Sequence, residues 1–357
     1  MQKHIISTSD SNSMRGVAIV LIVLHNLIHI FHPLKENEFF YHPHNASGFL
    51  NSLHTFSDTL WLDILSYLGW YGVAAFLFLS GYGLVRKYEI GGSAAGESFF
   101  QFMKYQVKKI FLLLFLPYLC YILVSYLCFG TQTSVWQALS HLCLVANFWP
   151  NQITPGIYWF FGLMVQLYLC YYLFFFKKSI LPLLVVNVVS LVAMVLCIYY
   201  DQRYPLLYFI RHQCLGWFLP FSLGILYARY NLSIVFEAYW KNLLMFIVGS
   251  ALLIYANVNA YLWLFTPVVS IALAIYGCEL LKKLKYSNQL VIYLGSISAF
   301  IYAIHPIVRM VFLGKIHPQT MLSIFLYLLI SILLAMAYKP VHGMICKLLN
   351  KAKDKKE

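Results

Sequence analysis

Between Arg15 and His32 the chain reads RGVAIVLIVLHNLIHIFH, with His25, Asn26, His29 and His32 set among Val, Leu and Ile. Polar groups in an apolar run are expensive, and they normally have a partner or a task. On a helix turning about 100° per residue, Asn26 falls about 20° from Arg15, His29 about 40° to one side and His25 about 80° to that same side, which makes one polar stripe. His25 lies about 15 Å along the axis from Arg15. An imidazole at that depth can take or give a proton near neutrality, or form a covalent intermediate. The i, i+4 spacing of His25 and His29 can also grip a metal. No Cys or well-placed carboxylate completes such a site in the sequence, so no metal is expected, and the same spacing lines two imidazoles along one wall. The bland alternative is a helix whose His groups bond to neighbouring carbonyls while Arg15 reaches back to the interface.

Other chemistry-bearing residues cluster elsewhere. YLGSISAFIYAIHPIVRMVF carries His305, with Pro306 expected to kink the helix behind it and Arg309 beyond. Arg211 and His212 open another apolar run. Arg and His on one side suit a hydroxylated or anionic ligand. In FLFLSGYGLVRK, Ser80, Gly81 and Gly83 allow a close approach by another helix or by a ligand. Arg86, Lys87, Lys104, Lys108 and Lys109 follow, and they could hold a phosphorylated ligand or serve only to orient the chain.

The elements that must position these groups are legible in the composition. The 357 residues are 61% hydrophobic and 10% charged, with mean hydropathy +0.74. That predicts an all-α polytopic membrane protein, since each span needs about 20 apolar residues. Runs such as LLVVNVVSLVAMVL are apolar throughout, unlike the alternating strands of a barrel. About ten segments qualify: 14–32, 65–85, 107–129, 157–176, 180–200, 207–228, 242–258, 262–281, 290–312 and 320–339. Residues 1–13 are expected as a cytoplasmic N-terminus, 14–340 as one helical bundle forming a single domain, and 341–357 as a charged cytoplasmic tail. With that start, only Lys35, Arg203, Arg211, Arg309 and Lys315 of the 25 Lys and Arg fall on the outer side, a strong orientation signal. The net charge of +13 is thus spent in short loops and does not suggest a nucleic-acid partner. The eight Cys form no CxxC pair and read as small buried hydrophobes. The first apolar run is too long for a cleavable signal and is expected to remain as a span. Segments 33–64 and 130–156 read as long outer loops, and 86–106 as an inner connection containing the flexible GGSAAGES.

Several pieces together resemble the membrane acyltransferase-3 family: RGVAIVLIVLHN, FLFLSGYGL, KYQVKKIFLLLFLPY, YWFFGLMVQLYL and LGSISAFIYAIHPI, in family order over nearly the whole chain. The resemblance implies transfer of an acyl group, often acetyl, from cytoplasmic acyl-CoA to a carbohydrate hydroxyl on the far side of a bacterial plasma (inner) membrane. Acyl-CoA would then be a co-substrate and not a bound cofactor, the bilayer and a carbohydrate acceptor its other partners, and self-association is left open. His25, Asn26, His29 and His305 would be catalytic. Arg15, Ser80, Arg86, Lys104, Lys108 and Lys109 would hold the CoA phosphates. Tyr302, Arg211, His212, Arg309, Trp159 and Tyr168 would meet the acceptor. Three departures stand out. Relatives commonly place ten residues between the first-span Arg and the catalytic His, whereas nine separate Arg15 from His25 and Asn26 takes the usual place. Lys104, Lys108 and Lys109 stand where Arg is usual, as point charges without the bidentate fork. Met164 and Gln166 occupy a stretch where many relatives carry a Glu. The mechanism so implied is a neutral His25 taking the hydroxyl proton, with Asn26 or Tyr302 bonding the oxyanion; an acyl-histidine is the alternative. The rival reading is a glycan or small-solute exporter, and a third is a structural subunit.

Overall fold

With no water to hydrogen-bond, an apolar segment must close its backbone bonds within itself, and each of these segments does so as helix. The computed structural model describes residues 6–91, 98–200, 205–316 and 320–354, with side chains to 349. Arg203, residues 92–97 of the GGSAAGES linker and the end of the tail lie outside them. In chain order the α-helices are α1 Thr8–Phe31, α2 Pro43–Thr55, α3 Leu60–Leu68, α4 Gly72–Leu84, α5 Phe99–Phe129, α6 Val135–Leu142, α7 Trp159–Cys170 and α8 Ile180–Tyr200. They continue as α9 Pro205–Arg211, α10 Phe218–Arg229, α11 Tyr239–Ala256, α12 Ala260–Trp263, α13 Thr266–Leu281, α14 Lys285–Ser296, α15 Ser298–Val311 and α16 Met321–Asp354. No strand occurs among the described residues.

Eight helices among the described residues are long and apolar enough to cross a membrane. Two of the expected segments form the shorter apolar helices Cys214–Arg229 and Thr266–Leu281. The protein is therefore an all-α polytopic membrane protein. The window of Leu60–Ile90 is 72% buried and that of α1 is 56% buried, against 28% for α8 and 17% for α11. The first two are thus the centre of the bundle, and the others turn rows such as Val188, Leu196, Leu244 and Ile247 outward, as hydrocarbon requires.

Several boundaries differ from the sequence reading for local reasons. Helix α1 starts at Thr8, not near residue 14, because Ser7 and Asp10 form a capping box: Ser7 Oγ accepts from Asp10 N at 3.1 Å and Ser7 N donates to Asp10 Oδ2 at 3.0 Å. Helix α16 runs on past residue 340, through Pro340. The segment 33–64 is not a plain loop: it contains α2 and leads into α3. The ninth segment breaks at Ile297, between α14 and α15, and Pro306 sits inside α15.

The close crossings fix α1. Gly16 lies against the backbone of Val291 and Gly295 against that of Asn12, so α1 and α14 touch backbone to backbone at two reciprocal points where any Cβ would overlap a carbonyl. Gly81 likewise meets the Phe221 carbonyl on α10, so at this position the FLFLSGYGL motif serves helix packing. Gly83 has open space around it. Gly16→Ala should therefore lower stability by about 1–3 kcal/mol, while Gly83→Ala leaves it near wild type. Thermal melting of the two purified variants in one detergent checks this contrast, and equal melting curves would refute the crossing.

Candidate active site

His25 enters the site from α1 and is 2% exposed. Its Nδ1 lies 2.9 Å from the Ser66 carbonyl oxygen of α3. A carbonyl can only accept, so Nδ1 carries the proton and Nε2 of the neutral ring keeps its lone pair. That Nε2 is buried and has no hydrogen-bond partner. Ser66 is itself held, its Oγ donating to Leu34 O at 2.6 Å. Gly69 lets α3 sit on the imidazole: a Cβ there would be 2.6 Å from His25 Cβ. The same arrangement recurs on His305, fully buried in α15, whose Nδ1 faces Ile301 O at 3.1 Å while Nε2 has no partner. His29 bonds through Nδ1 to His25 O at 2.8 Å, and its ring stacks on that of His25 with centroids 4.7 Å apart.

Arg309 joins the two helices. Its Nη1 donates to Asn26 O at 3.3 Å and reaches Asn26 Oδ1 at 3.4 Å. Its charge is within electrostatic reach of His29, His305, Tyr302 and Tyr327. Asn26 Nδ2 donates to Ile22 O at 2.8 Å, so the amide oxygen is what it turns towards Arg309. Tyr302 commits its only proton to Ile157 O. Tyr302 thus has no proton left for an oxyanion, Asn26 keeps one of its two amide N–H groups, and Arg309 is the cation at hand.

The acid beside the imidazoles comes from the segment after α1. Lys35 Nζ donates to the carbonyls of His29 at 2.6 Å, Ile30 at 3.0 Å and His32 at 2.8 Å, which caps the helix and turns the chain back over it. Glu36 then falls beside the imidazoles: ligand atoms of His25, His29 and Glu36 lie within 4.8 Å of one another, and Glu36 Oε2 is buried without a partner. This is the carboxylate that the sequence reading did not find for the His pair. The three groups stand close enough to hold a metal ion or to exchange a proton. The signal was present: two acids in KENE, directly after a polar span, in a chain with only 12 Asp and Glu.

Other candidates sort into distinct places. Arg211 is 2% exposed, donates to Glu38 O and Gly216 O, and lies over Trp217 at 4.2 Å, Trp263 at 4.9 Å and Trp70 at 5.9 Å. It anchors the 32–42 segment through Glu38. His212 stacks on Phe39 at 4.0 Å, and Trp159 stacks on Trp217 at 5.4 Å, so both form an aromatic wall under that segment. Arg15 lies at the other end of α1, within electrostatic reach of Tyr168 and Lys109. Tyr168 thus belongs with the cations and not with Tyr302. Lys87, which the sequence reading put among the basic residues, joins them, stacked on Tyr105 at 4.2 Å. Lys104 and Lys108 are exposed on the same helix, and Arg86 is half-buried. Ser80 Oγ donates to Phe76 O at 2.8 Å.

Two polar regions thus share one helix, a basic one near the start of α1 and an imidazole–guanidinium one near its end. A family model described as an acyltransferase domain matches residues 9–339. The chain belongs to the acyltransferase-3 family. No curated protein and no solved structure matches it. The match runs from the first turn of α1 into α16, so both polar regions lie inside the acyltransferase domain. In this acyltransferase Met164 is buried, and Gln166 is bound between Gln213 Oε1 at 2.7 Å and the backbone N–H of Cys214 at 2.8 Å.

Glu38 supplies the pH dependence that can be read outside the spans. Burial, with the charge of Glu36 adding, pushes its carboxyl up to about 8, although Arg211 pulls the other way. The residue as a whole is half-buried. Between the ordinary carboxylate range and pH 8 the folded state holds this proton and the unfolded state does not. Stability conferred by the protonated acid should then fall as pH rises through that window and level off above it. Melting temperatures between pH 5 and 9 should drop less in Glu38→Gln than in wild type; parallel curves would show that Glu38 does not hold the proton.

Proposed function

We propose that this membrane acyltransferase uses acyl-CoA, with acetyl the expected group, to esterify a hydroxyl of an extracytoplasmic or lipid-linked carbohydrate. The observation that supports it best is the His25 Nε2 lone pair, buried, unpartnered and forced to be the basic nitrogen by the bond from Nδ1 to Ser66. The basic residues around Arg15, Lys87 and Lys109 would receive the CoA phosphates at one membrane face. The charge bias makes that face cytoplasmic. The pantetheine arm would then run along α1 towards the imidazoles.

The acceptor hydroxyl gives its proton to His25 Nε2 as its oxygen bonds to the thioester carbonyl carbon. The carbonyl oxygen becomes an oxyanion stabilised by Arg309, which Asn26 holds in place. Collapse breaks the C–S bond, and the proton on Nε2 passes to the leaving thiolate. Ester and free CoA thiol are the products, and the imidazole is restored. The nearby Glu36 carboxylate favours the transient imidazolium. The same Nε2 could instead take the acyl group first and pass it to the hydroxyl.

His25→Ala should lower acceptor-dependent thiol release from acyl-CoA by about 10³-fold, with Arg309→Ala costing on the order of 100-fold and Glu36→Gln less than either. The assay reads thiol release with and without glycan, together with the mass gained by the glycan. Near-normal transfer by a folded, inserted His25→Ala protein would remove the mechanism. Glycan movement across vesicles without acyl-CoA consumption would favour an exporter.

A further inference from the structure

At the end of the bundle where α1 finishes, α2 and α3 line an open cavity of about 360 Å³, in the size range of small-ligand sites. It is lined by His32, Asn45, Asn51, Thr55, Thr59 and Asp63, among others, with no Lys or Arg among the lining residues. We propose that this cavity is the docking subsite for one neutral sugar unit of the acceptor; the proposal rests on the carbohydrate reading above.

Three observations carry it. First, the walls are preorganised. Asp63 accepts from Ser52 Oγ at 2.5 Å and Thr59 Oγ1 at 3.2 Å and bonds His32 Nε2 at 2.7 Å, which ties α2, the start of α3 and the end of α1 together. A site whose polar groups are already oriented loses less on binding. Second, the lining offers amide and hydroxyl groups without a Lys or Arg to draw an anion. Asn51 is exposed beside Thr55, and Phe56 follows, 81% exposed and held at φ 46° where α2 ends. Phe56 is not itself a lining residue but stands between two that are, Thr55 and Ser57; an exposed ring so placed can give a sugar's C–H face an apolar surface while amides and hydroxyls take its O–H groups. Third, the cavity is joined to the reacting end. Asn45 lines it and donates to Glu36 O at 3.0 Å, and Glu36 sits with His25 and His29. His32 is seven residues beyond His25, about 10 Å along the helix. A sugar held here therefore presents its neighbouring unit to His25 Nε2.

The test uses surface polysaccharide from a strain lacking this chain, separated by anion exchange into neutral and acidic fractions, and the full-length protein in nanodiscs. The neutral fraction should bind wild type. Asn51→Ala and Phe56→Ala should each weaken that binding about tenfold, and Phe56→Trp should retain it. Both positions are exposed, and melting curves confirm that the variants fold. Equal binding by wild type and the alanine variants, binding confined to the acidic fraction, or no binding by wild type would overturn the subsite. Full binding by Phe56→Leu would also overturn it, because the ring would then serve only as a lipid contact. The carbohydrate reading fails separately, if the polysaccharides of deleted and parent strains carry the same esters.

Discussion

The hydrogen bond from His25 Nδ1 to the Ser66 carbonyl decides which nitrogen of that ring can react. It fixes the tautomer, sets the plane of the imidazole and leaves the basic Nε2 facing inward with nothing to bond. The bond exists only because α3 can lie on α1. Gly69 makes room for the His25 side chain, and Gly16 with Gly295 holds α1 against α14 from the other side. Ser66 in turn grips Leu34, so the strap that follows α1 is tied to the element that orients the imidazole.

A buried polar atom without a partner costs roughly 1–3 kcal/mol. Such atoms include His25 Nε2 and Glu36 Oε2, from residues that cluster with His29, and His305 Nε2 and Tyr327 Oη, from residues within electrostatic reach of Arg309. Arg309 is within electrostatic reach of the stacked His29, and Asn26 spends its oxygen on the guanidinium. A bundle built only for stability would fill this space with hydrocarbon. Unmet hydrogen-bonding capacity around a held cation instead fits a place where a carbonyl oxygen gains charge and a hydroxyl loses a proton.

Much of this could be read from sequence because helical periodicity is a local property. The apolar runs found the helices, and the 100° rule put Arg15, Asn26, His29 and His25 on one stripe. Partnerships across the bundle could not be read that way. Arg211 looked like a ligand for the acceptor, yet three Trp rings enclose it and its donors hold backbone carbonyls. Tyr168 shares a motif with Trp159 but sits with Arg15, because nine residues of helix separate the two membrane levels. Glu36 escaped notice because its position depends on Lys35 capping α1 and turning the chain back, a tertiary arrangement with no periodic trace. The directions in which Asn26 and Tyr302 donate are equally non-local.

The central claim concerns one proton on one ring. Nitrogen-15 NMR of histidine-labelled protein, with the His25 signal assigned by its loss in His25→Gln, reports the tautomer directly. A neutral ring with its proton on Nδ1 and a bare Nε2 is the expected result. A proton resident on Nε2 would mean that Ser66 does not set the tautomer and that the proposed base is blocked.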